Sequence, residues 1–195
     1  MSLLTVEEFD NVSHFPGKLT RKQKKQFRKN NNNSLKLKNI VPKTINQEKA
    51  FNLYNKEYNL LLHGLAGTGK TYISLYLALS DIINGYTDHT NLTLVRSVVP
   101  TRDMGFLPGT EKEKSKVYEE PYMNICNDIF GRGDAYDILK GKNIIKFVTT
   151  SYIRGITLDD SIVLVDEAQN LNFHELDSII TRLGDNSRIM FCGDF

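Results

Sequence analysis

Glycine, lysine and threonine stand at a chemically meaningful spacing in residues 64–71, whose sequence is GLAGTGKT. This sequence fits the pattern G-x-x-x-x-G-K-[ST], in which backbone N–H groups and the start of a following helix surround phosphates. Lys70 would reach the β- and γ-phosphates of a nucleotide, and the hydroxyl of Thr71 would bind Mg²⁺. The predicted phosphate-binding residues are Gly64, Leu65, Ala66, Gly67, Thr68, Gly69, Lys70 and Thr71. The alternative is a glycine-rich turn that fits the pattern by coincidence.

A second stretch, residues 161–169 (SIVLVDEAQ), ends a β-branched apolar run with two acids. Such a run is typical of a parallel strand buried on both faces, and it would deliver Asp166 to the carboxyl edge of the sheet. There Asp166 would hold Mg²⁺ through a coordinated water, and Glu167 could deprotonate a water that attacks the γ-phosphate. The pair therefore favours hydrolysis. The alternative is a strand followed by an acidic turn.

The elements around these motifs alternate between strand and helix. A strand at residues 58–63 precedes the glycine-rich stretch, and the mostly apolar helix after it should stop at Asn84 and Gly85. Further strands are predicted at residues 92–96, 144–149, 162–166 and 188–193. Because the intervening segments are long enough for parallel crossovers, the sequence predicts an α/β domain with a parallel sheet.

Helix boundaries follow from capping residues and proline. Asn46 is expected to cap a helix over residues 47–56. The apolar face of that helix is formed by Ala50, Leu53 and Tyr54. Pro121 divides residues 111–130 into two short helices, because proline disrupts a helix interior.

A last helix is predicted to begin with a capping box. Asn172 and Glu175 have the required spacing, and Gly184 should end the helix. The apolar residues of this helix are Leu176, Ile179, Ile180 and Leu183.

Length and composition restrict the class of protein. With 195 residues, the chain can form one α/β domain but not two nucleotide-binding lobes. It has no apolar run of about eighteen residues and no signal-like N-terminus, so we expect a cytoplasmic protein without a membrane span. Cys126 and Cys192 lack the spacing of a metal site, which favours reduced thiols in the core. The four histidines are isolated and support no metal site.

Positive charge is concentrated near the N-terminus, although the net charge is only +2. Nine basic residues occur there with no acid between them: Lys18, Arg21, Lys22, Lys24, Lys25, Arg28, Lys29, Lys36 and Lys38. The rest of the chain holds 16 basic and 23 acidic residues. Residues 1–39 therefore form either an arm for nucleic-acid phosphates or a solvated leader, and the asparagine run at 30–33 indicates partial flexibility.

Several further motifs follow one another along the chain. They are residues 96–100 with 105–109 (GFLPG), 152–157 (YIRGIT), 166–170 (DEAQN), 181–184 (TRLG) and the pair Gly193-Asp194. Together with Asn46 and Gln47, these motifs resemble the PhoH-like family of P-loop ATPases over about residues 40–195.

The resemblance implies a fold and an activity. The family is similar to one lobe of superfamily 1 helicases, which implies a RecA-like three-layer α/β sandwich with a mainly parallel sheet. It also implies that ATP and Mg²⁺ bind, and that hydrolysis is coupled to single-stranded nucleic acid, with RNA favoured over DNA. Lys70, Glu167 and Gln169 would act in hydrolysis, with Gln169 sensing the γ-phosphate, and Gln47 would bond the adenine edge. Both glutamines could equally be ordinary surface residues.

Residues on loops at the sheet edge would contact the nucleic acid by the same resemblance. The candidates are Arg96, Arg102, Phe106, Tyr152 and Arg154. Guanidinium groups suit phosphates, and aromatic rings can stack on bases. The alternatives are surface ion pairs for the arginines and core packing for the aromatic rings.

The family pattern continues beyond Gly193-Asp194 to a glutamine and later to an arginine that stabilises the γ-phosphate, whereas the printed chain stops at Phe195. The resemblance therefore implies a core that is incomplete at its C-terminus. The strand before the glycine-rich stretch is then expected to have one unpaired edge, which the N-terminal segment could cover.

Three functions compete at this point. The first is an ATPase that changes its grip on single-stranded nucleic acid, in which a ring of copies or a partner completes the site. The second is a nucleotide-gated binding module with negligible turnover. The third is a small-molecule kinase, which the sequence disfavours because it offers no separate acceptor site.

Overall fold

The structure is a computed structural model, and it describes residues 35–97 and 111–194. The chain divides between Asn39 and Ile40, and the elements below all belong to the second unit. Its helices are α1 (Ile45–Asn55), α2 (Lys70–Asn84), α3 (Glu111–Phe130), α4 (Ala135–Gly141) and α5 (Phe173–Ile180). Its strands are β1 (Leu60–His63), β2 (Asn91–Arg96), β3 (Ile145–Thr149), β4 (Ser161–Asp166) and β5 (Arg188–Gly193).

The five strands form one parallel sheet in the order β1-β5-β4-β2-β3. Its register aligns Leu94 with Leu164, and Met190 with both Leu164 and Leu60. Every residue of the central strand β4 is buried, as the apolar run predicts. The predicted α/β class and parallel sheet are therefore confirmed.

Helices cover both faces of the sheet. On one face, α2 contacts β5, β4 and β2, and the hydroxyl of Ser74 lies 3.2 Å from the sulfur of Cys192. On the other face, Ile179 of α5 packs in a buried cluster with Val163 and Val165. In this three-layer arrangement, the first turn of α2 lies next to the carboxyl end of the central strand β4.

Strand β1 lies at an edge of the sheet. In the described part of the chain it pairs with β5 alone, and the side chain of Leu61 is 66% exposed. The family resemblance implies this unpaired edge on the strand that leads into the glycine-rich stretch. The N-terminal residues that are expected to cover it lie almost entirely outside the described residues.

Helix α1 begins two residues earlier than predicted. Thr44, not Asn46, is the N-cap, because its hydroxyl accepts a hydrogen bond from the backbone N–H of Gln47. Ala50 and Tyr54 are buried as predicted, but Leu53 is 44% exposed. The prediction for Leu53 is wrong because only one narrow side of α1 contacts the core.

Residues 111–130 form one helix, so the prediction of two short helices is wrong. Pro121 removes the hydrogen bond that would reach the carbonyl of Val117, but both residues lie on the exposed side, where water can serve that carbonyl. Beyond the proline, Tyr122, Cys126 and Ile129 are fully buried. Their packing keeps the helix continuous.

Helix α5 begins with the predicted capping box of Asn172 and Glu175 but ends at Ile180, before Leu183. The chain turns away because Arg182 and Gly184 exchange backbone hydrogen bonds with Leu158. A Cβ atom on Gly184 would lie 1.8 Å from a carboxylate oxygen of Asp159, so the close approach requires glycine.

The two cysteines are buried thiols without a disulfide, as predicted. Burial raises the pKa of Cys126 to about 12. Burial also raises the pKa of Cys192 to about 12, although its contact with Ser74 opposes the shift. Both thiols are therefore unreactive near neutral pH. No helix within residues 35–97 and 111–194 is long and apolar enough to cross a membrane.

Candidate nucleotide-binding site

The glycine-rich stretch forms a loop between β1 and α2, the context that the sequence pattern requires. Gly67 and Gly69 have φ angles of 77° and 85°, in the left-handed region that favours glycine. Gly69 is the N-cap of α2, and no side chain caps the first turn of this 15-residue helix. The N–H groups of that turn are therefore available to an anion.

Lys70 points back across the loop. Its Nζ donates to the carbonyl oxygens of Gly64 at 3.0 Å and Leu65 at 2.8 Å. The same Nζ lies 2.7 Å from a carboxylate oxygen of Asp194, at the end of β5. These contacts hold the ammonium group of Lys70 at the mouth of the loop, and phosphate oxygens could replace its present partners.

Thr71 and Asp166, distant in sequence, meet in the structure. The Thr71 hydroxyl donates to Oδ1 of Asp166 at 2.9 Å, and the hydroxyl of Tyr122 donates to Oδ2 at 2.9 Å. Asp166 is only 7% exposed. The donor set of one hydroxyl and one carboxylate fits Mg²⁺, which binds proteins through few oxygens and completes its shell with water and phosphates.

Tyr122 keeps its proton in this setting. Burial raises the pKa of its hydroxyl, and the negative charge of Asp166 adds to the shift. The nearby guanidinium of Arg96 opposes the shift without cancelling it. Tyr122 is therefore a permanent hydrogen-bond donor to Asp166.

Glu167 follows Asp166 in a left-handed backbone conformation, with φ of 54°. Its Oε2 accepts a hydrogen bond from the amide of Gln169 at 2.6 Å, and its Oε1 lies 3.9 Å from a guanidinium nitrogen of Arg96. The amide oxygen of Gln169 in turn accepts from the backbone N–H of Asp194 at 3.0 Å. A continuous set of polar contacts therefore joins Glu167 to Lys70 through Gln169 and Asp194.

These groups surround a cleft of about 310 Å³ at the carboxyl edge of the sheet. It is lined by Ala66, Gly67, Gly69, Lys70, Thr71, Tyr72, Ile125, Asp166, Glu167, Cys192, Gly193 and Asp194. Among the side chains that the structure describes, no three or more His, Cys, Asp or Glu residues form a metal-binding group. A metal here would therefore depend on Thr71, Asp166 and a bound ligand.

Gln47 lies beside the loop, on the first turn of α1. Its amide nitrogen donates to the carbonyl of Thr68 at 3.3 Å, and its amide oxygen accepts from the backbone N–H of Lys43 at 2.7 Å. Gln47 is therefore close to the phosphate-binding loop, although it does not line the cleft.

The candidate nucleic-acid residues fall into three groups. Arg96 is half-buried, pairs with Glu167, and lies 5.9 Å from the ring centre of Tyr118 on α3. Tyr152 and Arg154 are exposed and do not line the cleft. Arg102 and Phe106 lie outside the described residues.

Sequence reasoning missed several residues around the site. Asp194 was visible as the end of a motif, but only its contact with Lys70 gives it a place in the site. Tyr122, Tyr118 and Ile125 come from α3, where no local pattern indicates a partner on the sheet. Phe173, the first residue of α5, does not line the cleft but is 77% exposed, and no sequence motif distinguishes it.

Comparison with known proteins gives a consistent result. Residues 39–195 match the family model described as PhoH-like protein. The chain is 35% identical over 161 residues to Protein PhoH2 of Bacillus subtilis (strain 168), a match that covers 80% of the chain and 36% of that protein.

Two further relatives carry the name PhoH-like protein. The one from Bacillus subtilis (strain 168) is 35% identical over 157 residues, covering 80% of the chain and 49% of the relative. The one from Mycobacterium leprae (strain TN) is 32% identical over 158 residues, covering 80% of the chain and 44% of the relative. The chain thus spans a third to a half of the length of these curated relatives. Since the family model matches most of its residues, the chain belongs to the PhoH-like protein family.

Proposed function

We propose that this chain binds ATP with Mg²⁺, hydrolyses it, and couples the nucleotide state to single-stranded nucleic acid, with RNA favoured over DNA. The convergence of Lys70, Thr71 and Asp166 on one cleft carries the proposal. Membership of the PhoH-like family, which implies a nucleotide-binding protein, supports it.

Binding rearranges contacts that the site already makes. Backbone N–H groups around Gly67 and at the start of α2 would receive the phosphates, and Lys70 would exchange Asp194 for the β- and γ-phosphate oxygens. Thr71 and Asp166 would hold Mg²⁺, which would neutralise part of the negative charge of the phosphates. Gln47 would lie beside the base.

Glu167 is the proposed general base. Its carboxylate lies at the cleft, one residue beyond Asp166, and it would accept a proton from the attacking water. The amide of Gln169 holds one of its oxygens at 2.6 Å, which fixes the direction of the carboxylate. Through Asp194, the same glutamine is linked to Lys70. Phosphate binding at Lys70 would therefore alter the hydrogen bonds that position Glu167.

A surface for nucleic acid is proposed beside α5. Glu175 accepts hydrogen bonds from the hydroxyls of Ser97 at 3.0 Å and Thr150 at 2.5 Å, and from the backbone of Asn172 at 3.1 Å. This carboxylate ties the ends of β2 and β3 to the start of α5. The exposed rings of Tyr152 and Phe173 lie on the segments that it joins, and each ring offers a face for a base.

Phosphate release in the steady state tests the activity. Turnover should require Mg²⁺ and rise with single-stranded RNA, and the stimulation should weaken between low and high salt because phosphate contacts release counterions. Single-stranded DNA serves as the comparison ligand. Wild-type chain that binds Mg-ATP but releases no phosphate, with or without RNA, would favour the nucleotide-gated module instead.

Alanine substitutions test the nucleic-acid surface. Tyr152→Ala and Phe173→Ala should each weaken binding of single-stranded RNA by about 5- to 150-fold, the effect of losing one stacked base. Tyr86→Ala removes another exposed ring, 59% exposed, at the opposite edge of the sheet and should leave binding unchanged. Equal effects of all three variants would contradict this surface.

A further inference from the structure

We propose that Tyr122 is a positioning residue for Asp166, setting the orientation in which this carboxylate serves the magnesium site. The proposal rests on the proposed function, since it needs Thr71 and Asp166 to hold Mg²⁺. The observation behind it is the direct 2.9 Å hydrogen bond from the Tyr122 hydroxyl to Oδ2 of Asp166.

The two oxygens of Asp166 have different partners. Oδ1 accepts from the Thr71 hydroxyl, which belongs to the phosphate-binding helix α2, whereas Oδ2 accepts from Tyr122 on α3. Thr71 and Oδ1 would therefore face Mg²⁺ when it binds. Tyr122 does not line the nucleotide cleft, so its hydrogen bond to Oδ2 can persist and hold the rotation of the carboxylate.

Tyr122 is itself rigidly held. It is fully buried, and its ring centre lies 5.9 Å from that of Phe147 on β3. It also lies within α3, which continues without a break past Pro121. A donor fixed by packing holds its acceptor within a narrow range of angles. Outer partners of this kind typically change metal affinity or activity 10- to 100-fold when removed.

The neighbouring helix α4 supplies a matched control. Tyr136 is also buried, and its hydroxyl donates at 2.7 Å to the carboxylate of Glu119 on α3. Neither Tyr136 nor Glu119 lines the nucleotide cleft. Tyr136→Phe therefore deletes the same kind of hydrogen bond, between a buried phenol and a carboxylate, away from the site.

Tyr122→Phe removes one oxygen and keeps the ring. We expect it to raise the Mg²⁺ concentration that half-saturates nucleotide binding and turnover by about 10- to 100-fold, while nucleotide binding without Mg²⁺ stays within about twofold of wild type. Excess Mg²⁺ should restore its turnover, which it would not do for a general folding defect. Tyr136→Phe should keep the wild-type Mg²⁺ dependence.

An unchanged Mg²⁺ dependence in folded Tyr122→Phe overturns the proposal. A wild-type chain that shows no Mg²⁺-dependent nucleotide binding instead overturns the proposed function itself, so the two failures are distinct. A second measurement deletes no group: 3-fluorotyrosine is placed at position 122 or 136, and its ¹⁹F resonance is followed as Mg²⁺ is added to the nucleotide-bound chain. The resonance at 122 should move and that at 136 should not; a stationary signal at 122 also overturns the proposal.

Discussion

Two clefts lie at opposite edges of the sheet, and the larger one is not the better candidate for chemistry. The cleft at the amino ends of the strands measures about 510 Å³, against about 310 Å³ for the cleft at the carboxyl ends. The larger cleft is lined by Glu57, Asn59, Gly85, Tyr86, Thr87, Asp88, His89, Asn186, Ser187 and Arg188. Three charged side chains line the larger cleft and four line the smaller one, so neither volume nor the number of charges alone distinguishes them.

The partners of the charged groups do distinguish the two clefts. In the larger cleft, Arg188 donates to the backbone carbonyls of Tyr54 and Tyr58, and its guanidinium lies 3.8 Å from the ring centre of Tyr54. The Tyr54 hydroxyl in turn donates to the buried Asp81 at 3.1 Å. Burial and the charge of Asp81 raise the pKa of Tyr54, although Arg188 opposes the shift, so this hydroxyl stays a donor.

These contacts hold α1, α2 and β5 together, and a ligand could replace none of them without exposing buried polar atoms. In the smaller cleft, by contrast, Thr71 donates to Asp166, and Lys70 contacts Asp194 and two carbonyls of the glycine-rich loop. Phosphate oxygens and a metal ion could take over those contacts. The comparison favours the smaller cleft as the candidate site because its contacts are exchangeable and not because of its size.

Matched substitutions of a glutamate in each cleft give the largest expected difference. Glu167→Gln should lower kcat for ATP hydrolysis by about 10²- to 10⁴-fold, because it removes the proposed base, while nucleotide affinity is retained. Glu57→Gln in the larger cleft should leave kcat unchanged. Both are measured by steady-state phosphate release. An appreciable turnover that Glu167→Gln does not alter would show that Glu167 is not the base.

Matched substitutions of a lysine come next. Lys70→Ala should weaken ATP binding or turnover by about 10²- to 10³-fold, since it deletes a cation directed at developing negative charge. Lys56→Ala, at the C-terminal end of α1 next to the larger cleft, removes an exposed lysine and should have no effect. Titration with a fluorescent ATP analogue measures the affinities. Similar losses in both variants would mean that the effect is one of general charge.

Arg188→Met tests the scaffold side of the comparison. Because a buried guanidinium with backbone partners is lost, the free energy of unfolding should fall by about 2–4 kcal/mol. Turnover per folded molecule should not change. Urea denaturation and active-site titration measure the two quantities separately. A stable variant with reduced turnover would place Arg188 in the catalytic machinery and reverse the comparison.

The smallest expected effect concerns Glu175, which lines neither cleft. Partial burial acts to raise its pKa, but hydrogen bonds from Thr150, the backbone of Asn172, and Ser97 outweigh it and lower the pKa from 4.5. A carboxylate with a lowered pKa stabilises the fold above its unfolded value, and this contribution disappears as the pH falls through the folded pKa. Stability should therefore decline below about pH 4.5 in part through Glu175.

Glu175→Gln measures that contribution. It should be less stable than wild type near neutral pH, and the difference should shrink as the pH falls, as followed by urea denaturation at several pH values. A constant difference at all pH values would show that the lost hydrogen bonds, not the titration of the carboxylate, account for the change.

Local patterns predicted the parts of the site that depend on consecutive residues. The glycine-rich loop needs its glycines at fixed steps, and β4 needs an unbroken apolar run before Asp166, so both could be found in the sequence. The capping box of α5 was predicted for the same reason, whereas the edge position of β1 was predicted from the family resemblance and not from a local pattern.

Tertiary packing decided the rest. The local rule for Pro121 predicted a break in α3, but the buried residues after the proline keep the helix whole, and this continuity brings Tyr122 to Asp166. Likewise, Arg96 follows a strand as a surface arginine would, yet it lies between Glu167 and Tyr118. A single sequence holds no short-range signal for contacts between residues this far apart.

Calorimetric titration of ATP into the wild-type chain, with and without Mg²⁺ and beside Asp166→Asn, tests the central claim most directly. The claim is that the glycine-rich loop and Asp166 form one magnesium-nucleotide site. It predicts uptake of nucleotide that tightens with Mg²⁺ in the wild type and loses this Mg²⁺ dependence in Asp166→Asn. Absence of Mg-ATP uptake by the wild type, or an identical Mg²⁺ dependence in the variant, would contradict it.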